Sequence, residues 1–208
     1  MKKALILLSL LVTLVGCNNG SRLSSDDNKI YYGETPVGTF LPVESDAIAY
    51  DDQMEFLDDN TLKITRTFTA LQDIDSIRLT LNFRHESECQ SAMIPSVSYD
   101  GNHWGKGKEP KGFQTDGVWH TYSYRRTPIP GATYSEGKDF AVAMWGINPT
   151  NESEAFSCSL MPENTEVTHS LILPEEERPF IYSGRDSYKN GFARKLSMRR
   201  GETRKMEA

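Results

Sequence analysis

The chain has 208 residues with 29 acidic against 23 basic side chains, a formal charge of −6 at neutral pH that argues against nucleic acid as a partner. Aromatic residues make up 10% of it, which argues against wholesale disorder, and its length suits one domain whose core can form without disulfides.

The first element is a leader. Lys2 and Lys3, an apolar run from Ala4 to Leu14 too short to span a bilayer, and Leu14-Val15-Gly16-Cys17 read in order as the parts of a signal peptide. A cysteine directly after the small Gly16 resembles the lipobox of bacterial lipoproteins. That resemblance implies removal of residues 1–16, acylation of Cys17 with palmitate-type chains, and a membrane partner reached through lipid rather than through a spanning helix. Asn18 in place of aspartate after the cysteine favours the outer membrane of the cell envelope. Without Lys2 and Lys3 the mature chain has 21 basic and 29 acidic side chains, a formal charge of −8. Residues 17–28 follow as the lipidated cysteine and a polar tether, and residues 29–208 as the folded domain.

From there the dominant period is two. Short strands are expected at Lys29 to Tyr32, Val37 to Val43, Ala47 to Tyr50 and Gln53 to Leu57. Leu62, Ile64, Phe68 and Ala70 share one face of the next strand, with Thr61, Lys63, Thr65, Thr67 and Thr69 on the other. Ile77, Leu79, Leu81 and Phe83 repeat the pattern after a hairpin connection at Gln72 to Asp75. Further strands are expected at Ala92 to Tyr99, Trp119 to Arg125, Phe140 to Ile147, Ala155 to Leu160, Glu166 to Leu173, Arg178 to Ser183, Ala193 to Arg199 and Thr203 to Ala208. Many short alternating strands between Gly, Pro, Asn and Asp predict an all-β fold, an antiparallel β-sandwich of supersandwich-like type. Tyr99 to Val118 has little strand or helix signal, and a connection of that length in a compact domain is usually functional or disordered.

Once Cys17 carries lipid, Cys89 and Cys158 remain. In a compartment beyond the cytoplasm they can pair, closing a long loop worth on the order of 4 kcal/mol, or stay as thiols, with Cys158 a small core hydrophobe. No GxSxG, HExxH or P-loop is present, so no catalytic residue, metal site or cofactor is assigned. His85-Glu86-Ser87-Glu88 reads as a solvated loop, and Asp51-Asp52 and Glu175-Glu176-Glu177 as solvated turns. The candidate binding residues are His103, Trp104, Asp116, Tyr134 and Glu136: Trp104 and Tyr134 offer flat amphipathic faces for stacking on a sugar ring, and the others offer hydrogen bonds to hydroxyls. Trp119, Tyr122 and Trp145 sit in expected strands and read as core.

Residues 93–105 (MIPSVSYDGNHWG), 129–136 (IPGATYSE) and 180–188 (FIYSGRDSY) resemble the N-terminal β-sandwich of glycosidase-like proteins of Bacteroidetes, which carry a six-hairpin (α/α)6 barrel after the sandwich. The resemblance covers roughly residues 30–208 and implies a sandwich that lends loops to a sugar site whose catalytic carboxylates belong to the barrel. The expectation is a non-catalytic, carbohydrate-associated envelope lipoprotein module whose partner is a glycan or a glycosidase barrel. The alternatives are a glycoside hydrolase component active only with a barrel, and a structural envelope lipoprotein.

Overall fold

The computed structural model describes residues 22–93, 120–123, 132–147, 157–163, 166–174, 176–177, 181–182, 185–186, 192–193 and 195–208. In chain order its strands are β1 Leu23–Asp26, β2 Lys29–Tyr32, β3 Thr35–Phe40, β4 Ile48–Phe56, β5 Leu62–Ala70, β6 Ile74–Ile77, β7 Leu79–His85, β8 Cys89–Met93, β9 His120–Ser123 and β10 Ala132–Gly137. They continue with β11 Ala141–Trp145, β12 Ser157–Glu163, β13 Glu166–Leu173, β14 Glu176–Glu177, β15 Ile181–Tyr182, β16 Arg185–Asp186, β17 Phe192–Ala193, β18 Leu196–Met198 and β19 Thr203–Glu207. The described residues contain no helix, and every pairing is antiparallel, so the all-β expectation holds.

One layer of the sandwich is a seven-stranded sheet in the order β1-β2-β3-β7-β13-β12-β9. Opposite it lie two three-stranded sheets, β11-β10-β8 and β19-β5-β4. The Ile147 N–H donates to the Glu207 carbonyl at 2.9 Å, which brings the open edge of β11 against β19 and joins these two sheets at one end. Alternation explains the core: Leu79, Leu81 and Phe83 on β7 and Ile64, Phe68 and Ala70 on β5 turn inward and share one apolar cluster with Ile30, Phe40, Val167, Leu171 and Met206. Gly38 on β3 is required by close approach, since a Cβ there would strike the Phe83 ring and the Arg84 carbonyl.

Several elements differ from the sequence reading. β1 falls inside the segment expected to be tether, because Leu23 to Asp26 pair in register with Lys29 to Tyr32 across a turn at Asp27 and Asn28. Asp27 takes a positive φ of 49°, a conformation that aspartate tolerates better than most residues. Ala47 to Tyr50 and Gln53 to Leu57 belong to one strand, β4, whose Asp51 and Asp52 continue the ladder instead of turning. The expected hairpin connection at Gln72 to Asp75 overlaps the first half of β6, Ile74 and Asp75, and β6 pairs with β18. β10 was not expected as a strand at all; its residues 132–137 lie between β11 and β8.

Candidate functional site

β10 organises the site, because its two faces do different work. Ala132 pairs with Trp145, Tyr134 with Ala143 and Glu136 with Ala141, and residues directly opposite each other share a face. On the outer face Trp145 is 49% exposed, Glu136, Ala141 and Ala143 are exposed, and Tyr134 is half-buried. The two alanines leave a flat shelf, with the indole of Trp145 at one end and Glu136 at the other. Partial burial, the Glu136 carboxylate and the nearby Cys89 side chain all hold the Tyr134 phenol above its usual pKa, so it stays a neutral hydrogen-bonding group.

The inner face of β10 carries Thr133 and Ser135, which meet two histidines of the seven-stranded sheet. All four side chains are essentially inaccessible: His85, His169 and Ser135 are 0% exposed and Thr133 is 2% exposed. Ser135 Oγ lies 2.7 Å from both His85 Nδ1 and His169 Nε2, and Thr133 Oγ1 lies 2.8 Å from His169 Nδ1. Thr133 donates to the Met144 carbonyl at 3.3 Å. A carbonyl can only accept, and from that the direction of the whole chain follows. Thr133 donates to Met144, so it accepts from His169 Nδ1–H; His169 Nε2 then accepts from the Ser135 hydroxyl, which accepts from His85 Nδ1–H. Both rings are therefore neutral Nδ1–H tautomers. Burial pushes His85 down to about 4, and burial together with the neighbouring His85 pushes His169 down to about 3. His85 Nε2, the open end, has no hydrogen-bond partner among the described residues, and the Phe140 ring packs against the imidazole with centroids 4.9 Å apart. Gly137 closes β10 at this point; a Cβ there would strike Ser87 and crowd the His85 ring.

A second buried polar set lies on β4 and β5. Arg66, 0% exposed, donates from Nε and Nη2 to the two Asp52 carboxylate oxygens at 2.7 and 2.6 Å and from Nη1 to the Leu41 carbonyl at 2.9 Å. The Tyr50 ring covers the guanidinium at 4.7 Å.

Tyr134 and Glu136 are the two sequence-predicted binding residues that the structure places together. His103, Trp104, Asp116 and Cys17 lie outside the described residues. Cys89 opens β8 opposite Gly137, while Cys158 lies on β12 opposite Tyr122 and Leu171, with its side chain outside the description. Four expectations are corrected, the first at Glu176 and Glu177, which form β14 and pair with Ala193 and Phe192 instead of turning. Trp145 is exposed because apolar residues occupy both faces of β11, and only the pairing with β10 decides that Met144 goes in. His85 ends β7 on its inward face rather than opening a solvated loop. Asp52 is held in a buried ion pair, not a solvated turn. Among the described residues no group of three or more His, Cys, Asp or Glu has metal-binding geometry. No protein-family model, no curated protein and no solved structure matches the chain.

Proposed function

We propose that the protein is a non-catalytic, carbohydrate-associated module of a cell-envelope lipoprotein, held on the outer membrane through acylated Cys17, and that the outer face of β10 and β11 binds glycan. The observation that carries this reading is the exposed Trp145 on one face with Tyr134 and Glu136, around the shelf of Ala141 and Ala143. The indole and phenol rings stack on the apolar side of a pyranose, and the Glu136 carboxylate accepts hydroxyl hydrogens. In this reading His103, Trp104 and Asp116 of the long loop extend the same site. Ser135 is enclosed and its hydroxyl is committed to both imidazoles, so the buried Ser–His set is not presented to a glycan on the outer face.

Two stacking contacts and a few hydrogen bonds yield roughly 4 to 6 kcal/mol, an affinity between millimolar and tens of micromolar. In affinity gels containing bacterial or plant polysaccharides, Trp145→Ala loses retardation at least tenfold, while its thermal midpoint stays within about 3 °C of wild type because the indole is half in solvent. Retardation equal to wild type would remove the face from the proposal. Release of reducing sugar by the isolated chain would replace the non-catalytic reading with that of a hydrolase component. Anchoring is tested separately: a radiolabelled fatty acid marks the wild type and not Cys17→Ser, and equal labelling of both ends the lipoprotein assignment.

A further inference from the structure

The two sheets of the second layer dock on the seven-stranded sheet by different means. On β4, β5 and β19 the inward side chains include Ile48, Ile64, Phe68 and Met206, all buried in the apolar core. Among the described residues the strands of the β11-β10-β8 sheet give that core Ala92, Cys89, Val142 and Met144, and the central strand β10 turns Thr133 and Ser135 inward instead. These two hydroxyls meet His85 and His169, which belong to β7 and β13 and stand on the docking surface of the opposite layer. Lifting β10 therefore wets both rings while the pairing of β7 with β13 stays whole. A three-stranded sheet with so little apolar surface does not persist once lifted, so its own ladder opens with it.

We propose that the β11-β10-β8 sheet is an acid-released flap, which undocks from the seven-stranded sheet as a unit while β4, β5 and β19 stay folded. Among the described residues the groups that face the two rings are uncharged. Gly38 of β3 and Val167 of β13 lie opposite His85, Phe83 of β7 and Leu160 of β12 lie opposite His169, and the Phe140 ring packs on His85. Cys89 of β8, opposite Gly137, is a thiol and gains no proton in acid. Arg84 and Glu86 lie on the outer side of β7, paired with Glu166 and Lys29, and Glu88, Glu136, Lys138 and Asp139 are exposed. A proton on His85 Nε2 thus meets no anion, and a proton on His169 Nε2 displaces the hydrogen that Ser135 donates there. Burial holds the docked rings at about 4 and about 3, below the ordinary 6.5 to which opening returns them. Below pH 6.5 the open sheet binds protons that the docked sheet does not, so opening becomes roughly tenfold easier per pH unit for each ring. The outer face of the same sheet carries Trp145, Tyr134 and Glu136, so acid also disorganises the glycan face; this consequence alone rests on the glycan reading.

Amide hydrogen exchange of the full chain in low urea, at pH 7 and pH 5 and corrected for intrinsic rates, tests the flap. The ladder amides of β10 and β11 are expected to lose protection roughly several hundredfold between the two pH values, with a urea dependence at most about half that of the β5 ladder amides. His85→Phe removes one of the two proton sites and leaves the Ser135 bond to His169 in place, so the same pH change should cost roughly twentyfold. Equal protection and equal urea dependence in β10, β11 and β5 would mean that the domain opens only as a whole. A local opening that ignores pH, or an unchanged response in His85→Phe, would mean that acid does not act through these rings. Each of these results overturns the proposal, and the wild-type measurements decide it even if the variant does not fold. The exchange is followed without glycan, so its outcome is separate from that of the affinity gels.

Discussion

Between pH 7 and pH 5 the folded domain loses on the order of 4 kcal/mol through His85 and His169 alone. Burial lowers both rings from the ordinary imidazole value of 6.5, to about 4 and about 3. Below pH 6.5 the unfolded chain binds protons at these positions and the folded chain does not, so stability falls as the pH drops. Each ring contributes roughly 1.4 kcal/mol per pH unit until its own folded pKa is reached, and above about pH 7.5 neither contributes because both states are neutral. A loss of this size is a large share of ordinary domain stability, about 5 to 15 kcal/mol. Urea titrations across this range check the slope, and proton-detected imidazole spectra check its origin. Of the four histidine rings in the chain, those of His85 and His169 should stay neutral at pH 5. If either titrates near 6.5 in the folded protein, the buried chain through Ser135 is not formed as described.

Asp52→Ala is expected to cost about 3 to 5 kcal/mol at neutral pH, because it leaves the Arg66 guanidinium, 0% exposed, with two donors that have lost their acceptors. The Leu41 carbonyl and the Tyr50 ring remain in place, but they supply only one acceptor and one aromatic face for a full positive charge. Replacing both partners with apolar residues, Asp52→Leu with Arg66→Met, should cost far less than the single change, since no charge is then left in the interior. Chemical denaturation of the single and double variants measures the difference. A loss below about 1 kcal/mol for Asp52→Ala would mean that water reaches the guanidinium in solution and that the pair behaves like a surface salt bridge.

Period-two alternation made the fold class and most strands legible without coordinates. β13 matches its expected limits, Glu166 to Leu173, and β7 follows the inward row of Leu79, Leu81 and Phe83. The miss at β10 has a specific cause. Residues 132–137, Ala-Thr-Tyr-Ser-Glu-Gly, have no apolar alternation because their inward positions are Thr133 and Ser135, which are buried by hydrogen bonding to histidines rather than by apolar packing. A strand whose buried face is polar is invisible to a reading that searches for apolar periodicity. Tyr134 and Glu136 were singled out for their chemistry, but their common strand was not foreseen.

The sequence by itself determined the class of architecture, because alternating side chains dictate which face of each strand must leave water, whatever its neighbours are. The leader expected at residues 1–16 and the proposed acylation of Cys17 rest likewise on local patterns that need no partner. Tertiary structure alone decided what long-range pairing creates. Arg66 is neutralised by Asp52 across a ladder and donates a further hydrogen bond to the Leu41 carbonyl, beyond the end of β3. His85 and His169 become one chain only because β7, β13 and β10 bring residues 34 to 50 positions apart within 2.7 Å. Trp145 faces solvent because β10 claims Met144, its neighbour on the other face of β11. Composition and spacing contain none of these outcomes, since each depends on which strand lies beside which.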